Sequence, residues 1–235
     1  VACCFIAGLV RGFSGFALSA LIMASLVVIL PPIQLLPICF TMELLASTIM
    51  LRAGFRHADL RTVGLLILGS ITGVPLGAYA TTQLHVDTSR LIALGIIITF
   101  AVAQLFVTTP KIKTTNMVTL TSGFIAGVIT GLASVGGMMI ALYMLAQNLP
   151  PAVTRATLVL FLLAGSLTTG INYYVLDFFS PISLARSLVL APVVAVGVVL
   201  GALLFNPSLQ RYYRKFCLVL LIGIALTSLA TRLLT

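Results

Sequence analysis

The sequence predicts an all-α integral membrane protein built from two inverted repeats, each a broken, re-entrant helix hairpin plus three transmembrane helices. Three observations carry that expectation. Apolar residues fill 60% of the 235 positions and charged residues only 7%, against about 25% charged in a soluble domain. The apolar positions form eight runs, near 1–30, 33–51, 61–83, 90–108, 118–149, 152–175, 184–205 and 214–234. About 20 such residues suffice to cross the roughly 30 Å of hydrocarbon in a bilayer. The halves also echo one another. Ala7-Gly8-Leu9-Val10-Arg11-Gly12 matches Ala126-Gly127-Val128-Ile129-Thr130-Gly131, a shift of 119, and the same shift sets Leu30-Pro31-Pro32 on Leu149-Pro150-Pro151.

The first run is too long for one crossing. Residues 1–30 would make a helix of about 45 Å. Gly12, Ser14 and Gly15 weaken it near its middle, since Gly costs about 1 kcal/mol per helical position relative to Ala. Arg11 stands beside the weak point. The fifth run, 118–149, carries the same flaw at Thr130-Gly131-Leu132-Ala133-Ser134-Val135-Gly136-Gly137. Each of these runs ends at a Pro-Pro pair, because proline cannot continue a helix and restrains the residue before it. Each is expected to divide into two half-helices of about 15 residues, roughly 22 Å long. Polar stretches punctuate the other runs: Arg52 to Arg61, Gln83 to Ser89, Thr109 to Thr115, Asp177 to Ser183 and Asn206 to Lys215. A second match, Gly73-Val74-Pro75-Leu76-Gly77-Ala78 with Gly197-Val198-Val199-Leu200-Gly201-Ala202, is shifted by 124. The expected organisation is a first repeat over 1–108, a linker over 109–117 and a second repeat over 118–235. The start shows no charged stretch followed by a cleavage site, so Val1 onward is read as mature chain.

The charge supports the re-entrant arrangement. Net charge is +9, which in a membrane protein sets orientation and meets anionic headgroups rather than nucleic acid. If all eight runs cross, five loop arginines and lysines fall on one side and seven on the other. If the first and fifth runs enter and return, nine share one face (Arg52, Arg56, Arg61, Lys111, Lys113, Arg155, Arg211, Arg214 and Lys215) and three the other (Arg90, Arg186 and Arg232). Only the second arrangement shows the usual cytoplasmic excess of Lys and Arg. Three crossings per repeat make the repeats inverted, a recurring plan among secondary transporters.

Arg11 and Glu43 are the informative charges, because a charge at the bilayer centre costs about 2.5–3.5 kcal/mol even on insertion scales. They are read either as a charge pair beside a substrate, with Glu43 taking a coupling proton, or as a structural ion pair that fixes the broken helix. The half-helices after the breaks, expected to begin at Ser14-Gly15-Phe16 and at Ser134-Val135-Gly136-Gly137, carry unpaired N–H groups and about half a positive charge. Glycine lets an anion approach the backbone closely. The candidate anion-binding residues are therefore Arg11, Ser14, Gly15, Ser134, Gly136 and Gly137. The alternative for these small residues is close helix packing. Arg155 is a further anion contact from the second half, or a snorkelling interfacial arginine. Gly69, Gly73, Gly77, Gly197 and Gly201 have ordinary packing spacing and no assigned chemistry. Asn172, Tyr173 and Tyr174 read as an interfacial belt. Cys3, Cys4, Cys39 and Cys217 lack metal-ligand spacing and read as small packing residues. Gly12-Phe13-Ser14-Gly15 also fits the Gly-x-Ser-Gly pattern of rhomboid intramembrane proteases, but His57 and His85 fall in loops, away from Ser14. No metal and no cofactor is expected.

The glycine-rich start of each half, the two Pro-Pro pairs, Arg155-Ala156-Thr157-Leu158 and the Gly73–Gly77 stretch resemble the TauE/SafE family of sulfite and organosulfonate transporters, also called the toluenesulfonate uptake permease family. The resemblance spans nearly the whole chain. It departs from the usual pattern where Ala133-Ser134-Val135 interrupts a glycine run. It implies a multi-pass carrier of the bacterial inner membrane for sulfite or a related anion, often an exporter. The resulting expectation is a secondary carrier, proton-coupled or driven by the anion's own gradient, with one half rocking against the other. An anion channel is the alternative, and an intramembrane serine protease a remote one. The expected partners are a small anion and membrane lipids, without nucleic acid; a homodimer stays open.

Overall fold

The structure, a computed structural model, describes residues 1–55, 58–106, 115–147, 149–205 and 210–234. Arg56, His57, Lys111, Lys113 and most of the expected linker lie outside these residues. The described residues form ten helices and no strand: α1 (Ala2–Ser14), α2 (Leu18–Leu26), α3 (Pro32–Phe55), α4 (Leu60–Gln83), α5 (Val86–Phe106), α6 (Asn116–Ala133), α7 (Gly136–Ala146), α8 (Pro151–Val175), α9 (Pro181–Leu203) and α10 (Gln210–Leu234). Local chemistry places the starts. Proline opens α3, α8 and α9, where its missing N–H costs nothing. Thr115 and Ser180 cap α6 and α9 with side-chain oxygens.

Both long runs break, but not into equal limbs. The first gives 13 residues in α1 and 9 in α2; the fifth gives 18 in α6 and 11 in α7. Gly15 (φ 83°), Ala17 (φ 73°) and Ser134 (φ 57°) take the left-handed conformation that stops a helix. Gly15 and Ser134 correspond under the 119-residue shift. The second half-helix of the first run therefore starts at Leu18, not at Ser14, which closes α1. Six described helices are long and apolar enough to cross a membrane: Pro32–Leu51, Leu60–Gln83, Val86–Phe106, Asn116–Ala133, Ala152–Val175 and Pro181–Leu203. The number matches the expected crossings and the membership does not. The late break makes α6 long enough to qualify, while the described apolar part of α10, Lys215–Thr231, is shorter.

Two glycine seams set the packing. On α4, a Cβ at Gly69, Gly73 or Gly77 would run into the carbonyls of Leu120, Phe124 or Val128 on α6. In return, Gly123, Gly127 and Gly131 of α6 sit against the backbone of Leu66, Ser70, Val74 and Ala78 on α4. Gly8 and Gly12 of α1 meet Val194 and Val198 of α9 in the same way, and Gly197 and Gly201 meet Phe5 and Leu9. Small residues that let backbones touch are the main source of helix affinity where lipid is as apolar as the side chains. Each seam joins a helix of one half to a helix of the other, and α3 packs on α8 between them. The two halves are therefore interlaced.

Tyr173 corrects the interfacial reading of its segment. It is fully buried and sits among Phe40, Phe178 and Phe179, with ring centroids 5.3–6.5 Å away. Its neighbour Tyr174 is 80% exposed. Cys4, Cys39 and Cys217 are buried, Cys3 is exposed, and all are free thiols.

Polar contacts tie the helix ends together. The Asp59 N–H donates to Thr157 Oγ1 (3.1 Å), Arg61 Nη2 to Asn116 Oδ1 (3.1 Å) and Arg186 Nη1 to Gln34 Oε1 (3.1 Å). Asp59 also caps α4. Its carboxylate accepts from the Thr62 hydroxyl (2.6 Å) and from the N–H groups of Arg61 and Thr62 (3.1 and 3.2 Å). The Thr62 hydroxyl first, with the two amides and the Arg61 charge, holds the carboxyl below its usual range against the opposing effect of burial, which outweighs either amide alone. A depressed carboxyl stabilises the fold above its unfolded-state pKa and loses that contribution as pH falls through the folded value. Protection of the Arg61 and Thr62 amides, taken relative to their intrinsic exchange rate, should accordingly fall as the sample is acidified below about pH 4. Asp59→Ala should show the lowered protection at every pH, with a cap loss of about 1 kcal/mol; hydrogen-exchange mass spectrometry reads both.

Candidate functional site

The first break is held from within. Arg11 lies in the last turn of α1 and is fully buried. Its guanidinium donates to the Gly15 carbonyl, to Ser47 Oγ (2.8 Å) and to Glu43 Oε2 (3.1 Å). Glu43, on α3, accepts on its other oxygen from the Ser19 hydroxyl (2.9 Å) and the Ser19 N–H (3.3 Å). The cation thus sits at the carbonyl end of α1 and the carboxylate at the amide end of α2, each matched to the local helix dipole. Ser14 does not face an open space. Its hydroxyl donates to the Val10 carbonyl (2.7 Å) and accepts from the Phe16 N–H (3.3 Å), so it fastens the turn.

The second break is open. Its α7 has no side-chain cap. Among the described residues no acceptor meets the N–H groups of Gly136 and Gly137. Gly136 must be glycine, because a Cβ there would strike Thr130 Oγ1 and the Ala126 carbonyl. Two cavities adjoin this helix end. The larger, about 40 Å³, lies between α3, α4, α6, α7 and α8, enough space for a few waters. The smaller, about 10 Å³, lies between the two breaks, bounded by Ala17 and Ser19 on one side and Ser134 and Val135 on the other. Glu43, Ser134 and Gly137 border both.

Of the residues singled out from sequence, the structure brings Glu43, Ser134 and Gly137 to cavity walls. Gly136 stands behind Gly137, and neither Arg11, Ser14 nor Gly15 lines either space. Arg155 is also elsewhere. It donates to the Gly12 carbonyl, lies 4.1 Å from the centroid of the Phe205 ring and presses on Gly15. It joins α8 to the ends of α1 and α9 and is not a snorkelling side chain, since it is 9% exposed. Sequence reasoning missed Ser70, Thr130, Ser166 and Thr169. A signal for two of them was present: Leu162, Gly165, Ser166 and Thr169 follow the i, i+3, i+4, i+7 spacing of a single helix face. Thr130, Ser166 and Ser70 donate back to carbonyls of their own helices (2.8, 2.6 and 3.0 Å). Ser134 and Thr169 have hydroxyls without a protein partner among the described residues. Among those residues no three His, Cys, Asp or Glu side chains gather as a metal site.

A family model described as "Sulfite exporter TauE/SafE" matches residues 1–228 of the chain. Comparisons with curated proteins and with solved structures each found no match.

Removing one member of a buried ion pair costs about 3–5 kcal/mol, because the other charge is left uncompensated. Glu43→Gln, which strands Arg11, should lower the melting temperature in detergent more than the double variant Arg11→Met/Glu43→Gln does. A double variant less stable than either single one would contradict the pairing.

Proposed function

Because the chain belongs to the TauE/SafE family, we propose that it is a secondary carrier exporting sulfite, an organosulfonate or a similar small anion across the bacterial inner membrane. The family is one of membrane transporters, and the chain is a multi-pass membrane protein. The observation that carries the anion reading is the α7 end. Of the two glycine amides without acceptors among the described residues, that of Gly137 borders the larger cavity and that of Gly136 lies beside it, and a helix N-terminus favours negative charge. Ser134 adds a hydroxyl, and Gly136 and Gly137 let the anion reach the backbone. Arg11, Ser14 and Gly15 then serve the site indirectly, by fixing the first break, and Arg155 by fixing α1 to α8 and α9. Glu43 acts as the charge partner of Arg11; both of its oxygens are engaged there.

The proposed topology has six crossings and two re-entrant hairpins, with repeats over 1–108 and 118–235 in opposite orientation. Two contacts support it. With all eight runs crossing, Gln34 and Arg186 would lie on opposite faces, as would Asp59 and the start of α8. The structure holds Gln34 on Arg186 and Asp59 on Thr157. The paired packing, α1 on α9 and α6 on α4, is also what a two-fold relation between repeats produces. During alternating access the moving bodies combine helices of both halves, because the glycine seams do.

Two measurements test this. Proteoliposomes loaded with sulfite or ethanesulfonate should show saturable counterflow of the labelled anion; flux that rises linearly with concentration, with no counterflow, would indicate a channel. Single cysteines at the exposed positions Thr88 and Asn116 should react with an impermeant thiol reagent from opposite faces, and labelling of both from one face would refute the topology.

A further inference from the structure

We infer that the substrate site is one-sided: the larger cavity is the place in the second half that the Arg11–Glu43 pair fills in the first. This rests on the carrier reading above. The shift of 119 that aligns the breaks sets Arg11 on Thr130, Gly15 on Ser134, Glu43 on Leu162 and Ser47 on Ser166. All four second-half partners line the cavity, whereas the four first-half residues are bonded to one another. The second half keeps the backbone break and lacks both charges. A guanidinium and a carboxylate are replaced by a threonine and a leucine, and the space they occupied is open.

The first half also shows what fits such a space. There the Glu43 carboxylate sits on the amide end of α2, taking the Ser19 N–H and hydroxyl. The corresponding amide end of α7 faces Leu162, whose methyl carbons lie 3.0 and 3.5 Å from where a Cβ on Gly137 would be. The Met138 N–H, which corresponds to that of Ser19, is taken by the Val135 carbonyl (2.9 Å); among the described residues no acceptor meets the N–H groups of Gly136 and Gly137. An oxyanion entering the cavity is met by the free amides that open α7, as the protein's own carboxylate is met by the amide end of α2. No cation corresponds to Arg11 on that side. Binding rests on the Gly137 amide at the cavity wall, with that of Gly136 beside it, and on the hydroxyls of Ser134 and Thr169, which have no protein partner among the described residues. Among the described residues the one charge at the wall is Glu43, already opposed by Arg11. Such a seat suits an anion that must be released after each crossing, because no ion pair has to be broken. The occupant is a small oxyanion whose non-oxygen part rests against Phe40 and Phe161.

Gly165 provides the test. It lines the cavity, and a Cβ there meets nothing within 4 Å. Gly165→Leu should fold and fill the space, and its affinity for labelled sulfite in detergent should fall by about tenfold or more. Gly95→Leu, on α5 and also free of neighbours within 4 Å, should bind as the unaltered protein does. Thr130→Arg/Leu162→Glu transplants the first-half pair and should likewise abolish binding at an unchanged melting temperature, which keeps the question open to an answer if Gly165→Leu does not fold. Undiminished binding by a folded Gly165→Leu or transplant variant, beside normal binding by the unaltered protein, would overturn the one-sided site alone. Absence of sulfite and ethanesulfonate binding in the unaltered protein would overturn the carrier reading and this inference with it.

Discussion

Arg11 and Glu43 meet 3.1 Å apart inside the fold, and the arginine has no exposed surface. An irregular backbone at this depth survives only if its polar groups find partners within the protein. The pair supplies them on both sides of the first break: the guanidinium takes the Gly15 carbonyl, and the carboxylate takes the Ser19 amide. Neither charge could remain alone in such surroundings, and the gap between α1 and α2 could not remain without them. The strained left-handed conformation at Ala17, unfavourable for any residue with a Cβ, is retained because these bonds over-determine the turn.

A duplicated fold need not duplicate its chemistry. The second break preserves the left-handed residue at the corresponding position and the glycine seam that anchors its helix. It does not preserve the ions. One break is thereby a rigid, self-satisfied joint, and the other a joint with unspent hydrogen-bond donors. In the proposed carrier, division of labour of this kind lets one copy keep a demanding backbone shape while the other is left to meet the anion.

Much of the architecture was legible because it follows from hydrophobicity and backbone preference. The Pro-Pro pairs, the apolar runs and the small residues at Gly12 to Gly15 and Ser134 to Gly137 announce where helices end, and the helices end there to within a few residues. The Arg11–Glu43 contact was legible because a lone charge in lipid demands a partner. Other features depend on three-dimensional accommodation and leave no mark in composition. Ser14 reads as a donor for a ligand until its neighbours Val10 and Phe16 are seen to engage it. Tyr173 and Tyr174 are identical in kind, and only the helix face decides that one is buried and the other exposed. Ser70, Thr130 and Ser166 look like ordinary helical hydroxyls bonded to their own turns; what distinguishes them is the vacancy they surround.

The seam between α1 and α9 has a consequence for biosynthesis. Gly8 lies against Val194, so α1 is made about 190 residues before the surface it requires, a delay of roughly 10–40 s at 5–20 residues per second. Throughout that interval α1 carries a bare glycine face with nothing from α9 to cover it. Its nascent form needs a temporary host, whether the insertion machinery or a lipid-protected groove, until the ninth helix arrives. Ribosomal release of an incomplete chain would leave that face permanently uncovered, marking the fragment for quality-control proteolysis.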